Sequence, residues 1–162
     1  MFLVDTNVLL YAADADSPAH DKCKNLVESW RRDRQPWSVT WPILYEFMRV
    51  ATHARVFRVP WAITQAWRFV RALLAAPSLL VLMPTDEHAT ILEAAIAQDQ
   101  LLAGNIMHDL HTVVLMREHG VRTIYTRDIA QRMGLGHDVQ VRAYLCGLVH
   151  DIGKVGLPAS VL

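Results

Sequence analysis

Phe2-Leu3-Val4-Asp5-Thr6-Asn7 decides how the rest of the chain is read. A short apolar run that stops on polar residues describes a strand buried on both faces, with a carboxylate at its C-terminal end. Trp37-Ser38-Val39-Thr40 reads as a second strand, Leu79 to Leu82 as a third, and Arg122 to Thr126 as a fourth that ends on Arg127-Asp128. Helical patterns fill the intervals. Ser17-Pro18 supplies an N-cap and N1 proline for a helix through Leu26, Val27 and Trp30, closed by the basic run Arg31-Arg32-Asp33-Arg34. Pro42 starts a helix carrying Ile43, Glu46, Phe47 and Val50, and a loop with Arg55, Arg58 and Pro60 leads to a helix from about Ala62 to Ala76 that Pro77 ends. Thr85 caps a helix through Ile91, Leu92 and Ile96, and a last one runs from about Asn105 to His119 with Gly120 as its C′ residue. Strands alternating with helices predict an α/β fold around a parallel sheet.

The 162 residues suit one domain of ordinary size, and 52% apolar with 20% charged residues excludes wholesale disorder. Sixteen basic and 16 acidic residues cancel, which argues against holding nucleic acid by bulk charge. Cys23 and Cys146 lie far apart without metal-ligand spacing, so a reducing cytoplasm is the expected compartment. No stretch has the length of a signal-peptide core or a membrane span; the most apolar one, Leu73 to Met83, is broken by Pro77.

Four acids stand where carboxylates can converge: Asp5 and Asp128 after strands, Glu46 and Asp109 on helices. In open α/β sheets the functional crevice lies beyond the C-terminal strand ends. Mg²⁺ and Mn²⁺ prefer oxygen ligands and keep waters, so such a set suits one or two of them and needs no His or Cys. Phosphodiester hydrolysis fits this chemistry, with Asn7 and Thr126 as groups that orient acids or waters. Each acid also has a plain structural use: Asp5 as a helix cap, Asp128 in a turn, Glu46 paired with Arg49 at (i, i+3). The five tryptophans read as core or interface residues.

The segments holding the acids, Phe2 to Asn7, Leu44-Tyr45-Glu46-Phe47-Met48-Arg49-Val50, His108-Asp109-Leu110-His111 and Thr123-Ile124-Tyr125-Thr126-Arg127-Asp128, together resemble the PIN-domain ribonucleases, and most nearly the bacterial VapC-type toxins. The likeness also takes in Ala51 to Phe57 and covers about residues 1–128. It implies a PIN-like parallel sheet flanked by helices, a Mg²⁺- or Mn²⁺-dependent endoribonuclease, Asp5, Glu46, Asp109 and Asp128 as the metal-binding acids, and a small antitoxin that silences the enzyme. A homodimer is expected as well. With the four acids around metal the remaining charge leans basic, and Arg49, Arg55, Arg58 and Arg127 are candidates for a rim that meets RNA.

After Asp128 the pattern departs from that family. No apolar strand follows; the chain reads as helical around Ala130 to Met133 and from about Val139 to Val149, so a helical tail replaces the usual last strand. Gly147-Leu148-Val149-His150-Asp151-Ile152-Gly153-Lys154-Val155-Gly156-Leu157-Pro158 resembles the core signature of HD-GYP phosphodiesterases, which makes residues 129–162 a fragment of a second family. That signature needs metal ligands on an earlier helix and further His and Asp downstream, which this chain does not supply. Three functions therefore compete: a toxin endoribonuclease, an inactive PIN-like binding or regulatory module altered by its C-terminal replacement, and, last, a cyclic-dinucleotide phosphodiesterase. On the first reading His150 and Asp151 do no chemistry, and residues 138–149 dock an apolar face. Truncation after Asp128 is expected to lower the melting temperature, while His150→Ala with Asp151→Ala leaves metal affinity within about tenfold of the unaltered chain, a bound of roughly 1.4 kcal/mol.

Overall fold

The structure, a computed structural model, describes residues 1–54, 56–98 and 106–126. Its elements follow the order β1 (Phe2–Val4), α1 (Thr6–Ala13), α2 (His20–Arg32), β2 (Trp37–Thr40), α3 (Trp41–Ala51), α4 (Ile63–Leu74), β3 (Leu79–Leu82), α5 (His88–Gln98), α6 (Ile106–Glu118) and β4 (Ile124–Tyr125). This is the predicted α/β alternation, and β1 and β2 run parallel with Phe2 opposite Trp37 and Leu3 opposite Ser38. The switch to a helical tail, the boundary at 128/129 and the His150-Asp151 segment lie outside the described residues. The chain divides into two compact units, Met1–Val81 and a second beginning at Leu82.

In the first unit the strands lie in the order β3-β2-β1. Every residue of β1 and β2 is buried, as expected for parallel strands covered on both faces. Buried polar groups there must be hydrogen-bonded. Ser38 Oγ donates to the Phe2 carbonyl at 2.9 Å. Trp37, wholly inaccessible, donates from Nε1 to Ser78 Oγ at 3.1 Å, and Ser78 Oγ donates onward to the Trp30 carbonyl at 2.9 Å. Phe2 and Trp30 meet edge to face at 5.1 Å between ring centres. The α3 face buries Ile43, Leu44, Phe47 and Ala51, and α4 buries Ala66, Val70 and Leu73, both at helical spacing. Phe47 stacks on Phe69 at 4.7 Å and meets Trp61 edge-on, which closes this side of the core.

Two local expectations change and one is completed. The sequence reading offered Asp5 as a helix cap without marking out the helix itself, and the structure supplies it: α1 begins at Thr6 with Asp5 as its N-cap. Helix α2 begins at His20, not at Ser17-Pro18; Ser17 Oγ instead accepts from the Ala19 N–H, making a turn ahead of the helix. Helix α5 begins at His88, beyond Thr85. Trp67, on α4, is 41% exposed, whereas Trp30 and Trp37 are buried. Among the described residues no helix is long and apolar enough to cross a membrane.

In the second unit α6 buries Leu110, Val114, Leu115 and Met116. It ends where Gly120 takes φ +63°, with Gly120 N–H donating to the Arg117 carbonyl and Val121 N–H to that of Met116. This is a Schellman motif, and its left-handed C′ position explains the glycine. Just before that end, Glu118 Oε2 accepts from the Thr85 N–H at 2.7 Å and the Thr85 hydroxyl at 2.9 Å, while His88 Nδ1 bonds Oε1. Burial pushes the Glu118 carboxyl up, but the Thr85 and His88 hydrogen bonds outweigh it and hold the group below its ordinary value. Burial first, then the charges of His88 and His108, push His111 down, with Glu118 opposing.

A carboxyl whose folded pKa is depressed stabilises the fold above its unfolded pKa, and loses that contribution as pH falls through the folded value. Gln at position 118 can still accept from Thr85 but offers His88 no charged acceptor. Glu118→Gln is expected to lower the melting temperature by about 2–4 °C near neutral pH. Thermal melts should show the deficit shrinking once the pH drops below the ordinary carboxylate range.

Candidate metal centre

Asp5 follows β1 half-buried, and its extended backbone (φ −80°, ψ 157°) turns the carboxylate back over the start of α1. Asp5 Oδ1 accepts from the Thr6 N–H at 2.7 Å and Oδ2 from Asn7 Nδ2 at 2.9 Å. The anion also sits at a helix N-terminus, where the macrodipole favours negative charge. Strand β2 ends in the same way: Thr40 caps α3 by accepting from the Ile43 N–H. That cap sets the start of the helix on which Glu46 stands.

Glu46 is half exposed, its side chain 49% accessible. Its Oε2 accepts from Thr6 Oγ1 at 3.0 Å, across 40 residues of sequence, and its Oε1 meets Arg49 at 3.5 Å. Thr6, only 5% exposed, thus touches both acids: Asp5 through its backbone and Glu46 through its hydroxyl. Sequence reasoning passed over Thr6. The usable signal was its place one residue after a capping acid, at a helix start whose existence the apolar run alone does not reveal.

Asp109 stands in the first turn of α6, exposed, in the second unit. Thr126 follows β4 in that unit. Asp128, Arg55 and Arg127 lie outside the described residues. Arg58 is exposed, and Arg49 leans on Glu46 in a surface pair. Among the described residues no three of His, Cys, Asp and Glu gather in a way that could hold a metal ion; what the first unit brings together is the pair Asp5 and Glu46. Two carboxylates, one held by the Thr6 N–H and the other by its hydroxyl, form a hard-oxygen donor set. Mg²⁺ is commonly held by one or two carboxylates, with waters completing the shell, so these donors fit Mg²⁺ or Mn²⁺.

Residues 2–132 match the model of the PIN domain. Ribonuclease VapC43 of Mycobacterium tuberculosis is 36% identical over 119 residues, covering 74% of this chain and 80% of its own length. Ribonuclease VapC48 of the same species is 30% identical over 124 residues, 76% of this chain and 85% of its own. Among solved structures, that of Mycobacterium tuberculosis VapC20, described as a Sarcin-Ricin loop cleaving toxin, aligns with a TM-score of 0.53 at 18% identity, covering 79% of this chain and 90% of that one. That likeness supports the fold.

The pair predicts the behaviour of Asp5→Asn. Asn caps helices as well as Asp does, so the fold should persist. The lost anion should weaken Mn²⁺ binding by more than the roughly 10–100-fold that an outer-shell change costs. Calorimetric titration with Mn²⁺, beside a thermal melt, measures both.

Proposed function

This chain belongs to the PIN-domain family, and from that premise we propose that it is an endoribonuclease hydrolysing RNA phosphodiester bonds, the toxin of a toxin–antitoxin pair. The carrying observation is the Asp5–Thr6–Glu46 arrangement at the ends of two buried strands. On this reading the reaction depends on Mg²⁺ or Mn²⁺, and Asp5, Glu46, Asp109 and Asp128 are the acids that the family resemblance implies would hold it. When bound, the cation supplies Lewis acidity, activating water as nucleophile and neutralising charge on the scissile phosphate.

The chain's own residues do the positioning. Asn7 and the Thr6 N–H fix the rotation of Asp5, so its oxygens need little reorganisation to take up a cation. Thr126 orients an acid or a water. Arg58, with Arg55 and Arg127, supplies cations for the phosphate backbone, which positions RNA without reading its sequence. Arg49, paired with Glu46 at the surface, is the fourth cation proposed for that rim. A reducing cytoplasm, where RNA is met, is the proposed compartment.

Partners are a small antitoxin and a second copy of the chain. Tyr45 on α3 and Ile63 and Trp67 on α4 are large apolar side chains that are 65%, 61% and 41% exposed. Ile63 and Trp67, four residues apart on α4, share one helical face, and neighbouring exposed apolar side chains of that kind support a partner-covered face.

Cleavage of a mixed RNA panel in Mn²⁺ or Mg²⁺, abolished by a chelator and by Asp109→Asn, is the expected outcome. Binding of RNA with no cleavage under any divalent cation would favour the inactive-module reading. Ile63→Asp with Trp67→Asp should shift the light-scattering mass from dimer to monomer.

A further inference from the structure

We infer that Thr6 is a positioning residue of the metal centre, its hydroxyl fixing the Glu46 carboxylate relative to Asp5; the inference rests on the metal-dependent reading above. A threonine inside a helix commonly turns its hydroxyl back to a carbonyl three or four residues earlier. Thr6 is the first residue of α1, and the residues three and four before it are Leu3 and Phe2, in a strand. The Phe2 carbonyl already accepts from Ser38 Oγ. Extended strand backbone does not stack those carbonyls under the first helical turn as a preceding turn would, and the Thr6 hydroxyl instead reaches another element, Glu46 Oε2 at 3.0 Å.

Glu46 needs such an anchor. Its side chain is long and 49% accessible, and a long exposed side chain samples several rotamers unless something holds it. Arg49 is a poor holder: its contact is 3.5 Å, at the outer limit of a hydrogen bond, and its own side chain is 67% accessible. Exposed pairs of this kind fix little. Thr6 is the opposite, 5% exposed with its backbone set by the helix start and by its N–H bond to Asp5. An ionised carboxylate has about four lone-pair sites, and the two bonds to Glu46 leave room for a cation. Thr6 therefore sets the spacing of two acids from different elements without occupying the positions a metal takes.

Thr6→Val keeps the shape and removes the hydroxyl, leaving Glu46 to Arg49. Calorimetry should show Mn²⁺ affinity falling about tenfold, the scale of lost outer-shell orientation. RNA cleavage should fall at limiting Mn²⁺ and recover as Mn²⁺ is raised to saturation, with the KM for RNA little altered. Thr6→Ser restores the donor and should bring Mn²⁺ affinity back to within about threefold. In a Glu46→Gln background the same Val substitution should have no further effect on Mn²⁺ affinity, and this cycle decides the case even if Val lowers the melting temperature. Unchanged Mn²⁺ affinity in Thr6→Val, or equal losses in the presence and absence of the Glu46 carboxylate, overturns the inference. Asp5→Asn separates the two levels: if it too leaves Mn²⁺ affinity unchanged, the metal reading fails. If it abolishes binding while Thr6→Val does not, only the role of Thr6 fails.

Discussion

The burial of the parallel pair β1 and β2 is the constraint on which the first unit depends. Leu3, Val4, Trp37 and Val39 are wholly inaccessible, so no charged side chain can stand within these strands without a large desolvation cost. Polar chemistry is pushed to their C-terminal ends. Both ends solve the problem alike: a residue with a side-chain oxygen, Asp5 just after β1 and Thr40 as the last residue of β2, caps the helix that follows. Strand, cap and helix start thus form one rigid joint, used twice, and the two joints carry the groups that meet at Thr6 and Glu46.

This explains why structural and functional readings of the acids do not exclude one another. Asp5 is a helix cap, and Glu46 does pair with Arg49. On the proposed metal-dependent reading, a cap that fixes its carboxylate with a backbone N–H and a neighbouring amide preorganises it for a cation, and a weak exposed ion pair is readily exchanged for one. The same bonds that stabilise the helix start limit the reorganisation that binding requires.

The second unit holds its ends differently. Glu118, near the C-terminal end of α6, where the macrodipole disfavours an anion, is retained by Thr85, in the segment that leads into α5, and by His88, its first residue. His119 Nε2 bonds the Met83 carbonyl at 2.8 Å, a second tie between the same segments. These contacts fix the end of the helix that carries Asp109 in its first turn.

The sequence by itself determined the positions of β1, β2 and β3, the α/β alternation, the helix-ending Gly120 and the order of the acids, because apolar runs, period and left-handed glycine are local properties of the chain; of the fourth strand read over Arg122 to Thr126, only Ile124–Tyr125 forms. It offered Asp5 as a cap without showing the extent of α1: Thr6 to Ala13 follows a strand without a break, and the packing of Val8, Leu9 and Ala12 into the core, behind the Asp5 cap, makes it a helix. It misplaced the start of α2, where a Ser-Pro pair forms a turn instead of a cap. It also read Trp67 as it read Trp30, since both lie on apolar helix faces, and tertiary packing covered Trp30 while leaving Trp67 partly in solvent. The link from Thr6 to Glu46 belongs wholly to the tertiary structure, because a hydroxyl has several local carbonyls to choose from. Only the arrangement of β1, β2 and their two helices decides which partner lies 3.0 Å away.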